Sequence, residues 1–258
     1  MTYFLFDSNP WLLPITLLVL LTLATELPPR LPKRFTPGTD VGDEVWNVVQ
    51  GGIIGLVAFV LGLSFSQAEA RFDARRLLVV TEANAIGTTW LRADQLPPPQ
   101  RKRFRDVLTA YTALRLKTYG STNEAGALRE LQTKSNDYQD ELWSIASGAL
   151  RAAPSNLGYS LLMETLNETI DVSSEQSAAL INHVPTPIVV WTLLLVLLGA
   201  TRIGISFARA RTNPRVLALA YIISSLIVSC MMVDLDRPQT GFIRINLEPL
   251  SAQLASMH

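Results

Sequence analysis

Four regularly spaced carboxylates are the residues in this chain that could most clearly bind a ligand or take part in chemistry. Glu164, Glu168, Asp171 and Glu175 follow one another at intervals of four, three and four residues, so on a helix they form one acidic stripe. Such a stripe could bind cations. It could also be a solvated face, or a partner for the basic run Arg101–Arg105. We favour the last two interpretations because exposed charged faces need no ligand.

Other residue types that do chemistry are scarce. One cysteine, Cys230, and two histidines leave neither a disulfide framework nor enough ligands for a zinc site. The nearest match to a nucleophile elbow, GISFA at 204–208, lies in an apolar segment rather than between a strand and a helix. The glycines at 51, 52 and 55 lack the lysine that follows in a phosphate loop. We therefore predict no enzyme, no cofactor and no metal.

The overall composition is typical of a membrane protein. Of the 258 residues, 48% are hydrophobic and only 17% are charged, and the mean hydropathy is +0.25. The 22 basic residues balance the 22 acidic ones, so no net charge favours nucleic acid as a partner. A chain this apolar is unusual for a soluble domain.

Four segments are long and apolar enough to be membrane-spanning helices, each of which needs about 20 apolar residues. The first is read as a retained helix rather than a signal peptide, because residues 1–10 contain no Lys or Arg. We predict an all-α integral membrane protein with four transmembrane helices and a helical extramembrane bundle between helices 2 and 3. The predicted spans are Trp11–Leu27, Val45–Phe65, Ile188–Phe207 and Val216–Val233.

The predicted domain organisation follows these spans. Residues 1–66 form the N-terminal pair of transmembrane helices, 67–187 the bundle, 188–233 a C-terminal transmembrane hairpin and 234–258 a tail. The second helix is expected to continue into water without a break from Val45 to Leu96, about 78 Å at 1.5 Å per residue. Three further amphipathic helices follow, the last with a stripe at Leu157, Leu161, Thr165, Thr169 and Val172.

The second membrane helix has two distinct faces. Small residues that let helices approach closely in lipid make up one face, at Gly51, Gly55, Ala58 and Gly62. The other face is made of the bulky apolar residues Val57, Leu61 and Phe65. These residues become pore candidates if an oligomer brings several copies around one axis.

Two stretches carry a resemblance to a known family. Ala58–Pro97 and Asp234–Ile245 resemble the bacterial bestrophin-like family, which is also catalogued as a domain of unknown function. The recognisable positions are Arg71, Asp73, Arg75, Arg76, Glu82, Asn84, Gly87, Arg92, Asp234, Asp236, Arg237, Pro238 and Gly241. From the residues alone, we interpret these positions as structural ion pairs and close helix contacts.

The resemblance implies a membrane protein distantly similar to bestrophins, which are pentameric anion channels whose second helix lines a hydrophobic neck and extends into the cytosol. It therefore implies a homo-oligomer in contact with membrane lipid, with small anions as possible cargo. The chain departs from true bestrophins in lacking their acidic calcium clasp. Asp234 and Asp236 supply two carboxylates, whereas calcium takes 6–8 oxygens, so calcium gating is not expected.

The predicted function is therefore a bestrophin-like oligomeric ion channel in the bacterial inner membrane, crossing it several times. The alternative is a non-conducting scaffold or signalling protein that binds a partner through its bundle. Membrane orientation stays open. Basic residues in the short loops favour an outside N-terminus, whereas the resemblance, together with Arg71, Arg75 and Arg76 after the second helix, favours a cytoplasmic bundle.

Overall fold

The computed structural model describes residues 11–30, 43–120, 125–182, 184–209, 215–237 and 242–257. Within these residues the secondary structure is helical. The α-helices are α1 (Leu12–Glu26), α2 (Asp43–Arg92), α3 (Pro98–Gly120), α4 (Ala125–Ala152), α5 (Leu157–Ile181), α6 (Thr186–Arg209), α7 (Arg215–Asp236) and α8 (Glu248–Ala255). Short 3-10 helices cover Pro28–Arg30 and Ala93–Gln95. The all-α class predicted from the sequence is confirmed.

The long second helix is present as predicted. α2 runs for 50 residues without interruption, and a 3-10 turn carries the chain to Leu96. Leu96 has extended backbone angles, φ −72° and ψ 149°, the conformation that the following proline imposes on it. The helix therefore ends where the sequence stops supporting helical backbone.

Three helices among the described residues are long and apolar enough to cross a membrane. The spans are Val48–Gln95, Thr186–Ser206 and Arg215–Asp236. α1 is apolar but has only 15 residues, fewer than the roughly 20 that a perpendicular crossing requires. The count of four transmembrane helices stays a prediction for this reason.

The helices form two compact units, each discontinuous in sequence. The membrane unit comprises Met1–Ala70 and Val184–Arg237, and the bundle unit comprises Arg71–His183 and Pro238–His258. Helix α2 contributes residues to both. The division into four parts that the sequence predicts follows the boundaries of the membrane, whereas these two units are defined by contacts between residues. The four-part division therefore stays a prediction.

An apolar core holds the membrane unit together. It joins Leu17 and Leu21 of α1 to residues of α2, α6 and α7. Polar side chains add ties between helices: the hydroxyls of Ser64 and Thr192 are 3.1 Å apart, and the Tyr221 hydroxyl donates to the Val196 carbonyl at 2.9 Å. Such ties stabilise helix pairs in lipid, where water offers no competing partner.

The bundle unit has its own core, built from one face of each of its helices. Val79 and Ile86 of α2, Phe104 of α3, Leu142 of α4 and Leu166 of α5 are completely buried. The C-terminal helix α8 adds Leu250 to this core. Burial of these aliphatic and aromatic side chains stabilises the unit by the usual hydrophobic gain.

The predicted stripe on α5 is correct only in its C-terminal half. Thr165, Thr169 and Val172 are buried, whereas Leu157 and Leu161 are exposed, and Leu162 takes their place in the core. The predicted stripe advanced by four residues three times in succession. Each step of four overshoots a full turn by about 40°, so the first positions had rotated off the buried face.

Candidate functional site

The exposed side of α2 in the membrane unit is apolar. Leu56, Phe59 and Leu63 are 50%, 63% and 50% exposed, and their spacing of three and four residues places them on one face of the helix. No side chain of the described protomer covers them well. This strip is the surface through which α2 can meet lipid, another copy or a shared axis.

Two of the three pore candidates from the sequence lie on the other side of the helix. Val57 and Leu61 are only 2% and 7% exposed and belong to the core of the membrane unit. Phe65, the third, is half-buried. Val57 and Leu61 pack against the protomer's own α1, α6 and α7 and also line an open groove beside α7, so their pore role stays a prediction.

The small-residue face of α2 is open. A Cβ built on Gly51, Gly55 or Gly62 meets no atom within 4 Å, and Ala58 is exposed. Beside them lies a groove of about 440 Å³ between α2 and α7, lined by Ala58, Gly62 and Phe65 on one side and Tyr221 and Val228 on the other. The predicted close packing through these residues is therefore not made within the protomer, and between copies it stays a prediction.

A buried ion pair connects α2 to α3 inside the bundle unit. The Arg115 Nε donates to Glu82 Oε1 at 2.5 Å, and the Tyr119 hydroxyl donates to Glu82 Oε2 at 2.8 Å. A second guanidinium nitrogen of Arg115 donates to Gln176 Oε1 on α5. Glu82 and Arg115 are completely buried. Glu82 thus takes the structural pairing that the sequence interpretation gave to the family positions.

Two phenols share this environment. Burial raises the pKa of Tyr111 above its ordinary value of 10.0, although the nearby Arg115 charge opposes the shift. Burial and the Glu82 carboxylate raise the pKa of Tyr119 well beyond the ordinary range. Both hydroxyls therefore stay protonated at neutral pH; Tyr119 donates to Glu82, and Tyr111 accepts from the Gln139 amide at 3.3 Å. The Gln176 amide nitrogen is also buried in this region, without a hydrogen-bond partner among the described residues.

Arg75 and Asp236 each form hydrogen bonds with backbone groups at or near the end of a helix. The Arg75 guanidinium is buried and donates to the carbonyls of Ala179 and Asn182, both at 3.0 Å. These are carbonyls at the C-terminus of α5, which attracts positive charge. In the membrane unit, the buried Asp236 carboxylate accepts from the Val184 backbone N–H at 3.0 Å, two residues before α6. Both family positions therefore have structural partners.

The remaining family positions fall into three groups. Arg92 donates to the Leu161 carbonyl at 2.6 Å, and Gly87 allows close contact with α8, because a Cβ there would lie 2.7 Å from Gln253 Oε1. Pro238 and Gly241 lie outside the described residues. The exposed or half-buried positions are Arg71, Asp73, Arg76, Asn84, Asp234 and Arg237.

The acidic stripe of α5 does not receive the basic run of α3. Glu164 lies 3.5 Å from Arg92, and the stripe lines an open groove of about 500 Å³. The basic run pairs elsewhere: Arg105 with Asp94 at 3.0 Å and Arg103 with Glu141 at 2.9 Å. The predicted contact between stripe and run is wrong, because closer carboxylates on the 3-10 turn and on α4 compete for the same guanidinium groups. The solvated-face interpretation fits the open groove.

Sequence reasoning missed Arg115, Tyr119 and Gln176. A usable signal was present: Tyr111, Arg115 and Tyr119 recur every four residues on α3, beside the apolar stripe that contains Phe104. A charged residue at the edge of a buried stripe calls for a buried partner of opposite charge. The sequence does not say which carboxylate that partner is.

Comparison with known proteins places this fold in a family. The family model of the bestrophin-like domain matches residues 13–250. Similar solved structures include two variants of a bacterial bestrophin homologue from Klebsiella pneumoniae. One is 17% identical, with coverage of 97% of this chain and 94% of that chain and a TM-score of 0.69. The other is 18% identical, with 94% and 95% coverage and a TM-score of 0.69.

A search of curated proteins finds no match to this chain. At such low identity the solved structures show a shared fold alone, but the family match extends over most of the chain. Together with three helices that can cross a membrane, it identifies a membrane protein. The chain belongs to the bestrophin-like family.

Proposed function

We propose that the protein is an oligomeric channel for small anions, with the exposed face of α2 turned toward an axis shared by several copies. The observation that carries this proposal is the exposure of Leu56, Phe59 and Leu63 on the face of α2 that lies opposite the buried Val57 and Leu61. Copies arranged around an axis would stack these side chains as apolar rings. Such rings close a narrow pore by excluding water from it.

The open small-residue face of α2 supports assembly. Gly55 and Gly62 leave room for a neighbouring helix, and small residues are the usual means by which membrane helices approach one another. We propose a homo-oligomer, a pentamer by the family resemblance, in the bacterial inner membrane with lipid around its outer helices. α1, α6 and α7, with α2, would supply the four crossings.

The choice of anions as cargo rests mainly on the resemblance to bestrophins. Arg71 and Arg76 follow the membrane half of α2, but Glu69 and Asp73 lie between and beside them. These four charges cancel, and the remaining guanidinium, Arg75, is buried against carbonyls at the end of α5, so local charge alone does not select the sign of the ion. Selectivity is therefore a quantity to measure together with conduction.

Flux through proteoliposomes tests the proposal. Wild-type protein should pass chloride above empty liposomes, and Phe59→Ala and Leu63→Ala should raise that flux several-fold, because a wider constriction wets more easily. Leu217→Ala is the matched control, since Leu217 is an exposed leucine on α7 and should leave flux unchanged. Leu61→Ala should instead cost about 2–5 kcal/mol of stability, as core truncations do.

One outcome would replace the channel with the alternative function. If folded, oligomeric wild-type protein and both alanine variants pass no anion above empty liposomes at several voltages, the channel proposal fails. The non-conducting scaffold would then take its place.

A further inference from the structure

Helix α2 lacks a strong apolar preference for one rotational setting in the bundle unit. Its buried face carries Val79 and Ile86, but its opposite face also carries leucines, with Leu77 65% and Leu91 68% exposed. A rotation of the helix about its axis would bury these leucines in place of Val79 and Ile86, although it would also bury the polar Asn84 and Thr88 of the same face. Hydrophobic burial discriminates poorly between settings of this kind, because it is non-directional.

The buried pair of Glu82 and Arg115 does favour one rotational setting of α2 over the others. Both carboxylate oxygens are engaged, one by Arg115 at 2.5 Å and one by Tyr119 at 2.8 Å, and Arg115 also holds Gln176 of α5. Rotation of α2 would carry Glu82 away and leave a buried guanidinium uncompensated, a state with a high desolvation penalty. A second directional tie lies two turns further on, where the hydroxyls of Thr89 and Thr169 are 3.0 Å apart.

We propose that Glu82 and Arg115 are positioning residues that fix the rotational setting of α2. Buried polar groups fix register in other helical assemblies at some expense in stability. The rotational setting of α2 in the bundle does not depend on the proposed channel function.

Cysteine labelling measures the rotational setting directly. Ala83 is buried and Asn84 is exposed, although they are neighbours about 100° apart on the helix. Full-length protein in lipid would carry Cys230→Ser, which removes the one native cysteine, and either Ala83→Cys or Asn84→Cys. A maleimide should label position 84 about tenfold or more faster than position 83, since burial blocks the reagent.

The decisive variant replaces both charges by apolar residues of similar size, Glu82→Leu with Arg115→Met. Replacements of this kind are often neutral or stabilising, but here Tyr119 and Gln176 lose their partners, so the thermal midpoint is measured as well to show that the variant is folded. The labelling ratio should fall to about twofold, because α2 would sample several settings. The exposed pair of Arg103 and Glu141, replaced in the same way by Met and Leu, should change neither quantity.

Two single variants decide the matter even if the double variant does not fold. Arg115→Lys keeps the buried charge and should keep the high labelling ratio. Tyr119→Phe removes one hydrogen bond to Glu82 but keeps the buried charges paired, and it should lower the labelling ratio part of the way. A wild-type ratio in the folded double variant, or in Tyr119→Phe when the double variant is unfolded, would overturn the proposal.

Chloride flux measured on the same samples separates this proposal from the channel. A collapsed labelling ratio with no flux in any sample would leave the positioning role standing and remove the channel. Chloride flux in the wild type, with a labelling ratio in the double variant equal to that of the wild type, would support the channel and remove the positioning role.

Discussion

Gly204 is a residue at which the membrane unit has no room for a side chain. A Cβ at this position would lie 2.4 Å from the Thr25 carbonyl oxygen and 3.0 Å from that of Ala24. Both atoms belong to the backbone of α1, which cannot rotate away as the end of a flexible side chain can. The close approach of α6 to the end of α1 therefore depends on a missing side chain.

We expect Gly204→Ala to lower the thermal midpoint in detergent, with a loss of about 1–3 kcal/mol that is typical of overpacking. Gly55→Ala is the matched control. Its Cβ would meet nothing within 4 Å, and alanine favours helix over glycine by about 1 kcal/mol, so its midpoint should be equal or higher. Equal midpoints for the two variants would contradict the packing described for Gly204.

Single residues also show how far the sequence can be interpreted at this scale. The role of Glu82 as a structural ion-pair member was predictable from its type and its helical position. Its partner was not, because Arg115 lies 33 residues away and no local pattern links the two. Long-range pairing of charges is a property of the packed bundle.

At the scale of elements, the basic N-terminal part of α3 is held by carboxylates of the 3-10 turn and α4. Asp94 lies near Arg101 and Arg105, at 3.6 and 3.0 Å, and Arg103 pairs with Glu141. These pairs are partly exposed, so each contributes only about 0–1 kcal/mol. We expect their combined effect to be large enough to measure.

Reversal of Arg101, Lys102 and Arg103 to Glu should lower the thermal midpoint at low salt. Attraction to Asp94 and Glu141 would become repulsion, and high salt should reduce the difference by screening. Lys117→Glu is a suitable control, because Lys117 is exposed near the other end of α3 and has no ion pair among those described. A triple variant as stable as the wild type at low salt would show that these pairs contribute nothing.

The elements themselves were largely predictable. The continuity of α2, its stop before the prolines and the buried stripes of the bundle helices follow from local composition and a period of 3.6 residues. The stripe on α5 shows the limit of this approach. An apolar pattern that drifts around the helix gives no exact buried face until neighbouring helices are in place.

At the scale of the whole molecule, the open glycine face of α2 predicts where copies meet. Gly55→Leu and Gly62→Leu should leave the protomer folded, since each glycine has free space around it. They should disrupt assembly if a neighbouring helix packs there, because a leucine keeps the two backbones apart. Size-exclusion profiles in mild detergent should then shift toward smaller species.

Leu217→Phe provides the control for assembly, as a similar enlargement of an exposed side chain on α7. Its profile should match that of the wild type. An unchanged oligomer peak for both glycine variants would remove this face from the interface between copies, without bearing on conduction through α2.

The sequence by itself determined the class of protein, the all-α fold, the long second helix and the family. Hydropathy, helical period and family positions are local properties, which can be determined without knowing the tertiary contacts. Only the tertiary structure decided which face of α2 is buried. That segment is apolar on nearly all sides, so Val57 and Leu56 are equivalent by composition. They differ because α1, α6 and α7 cover one of them and leave the other exposed.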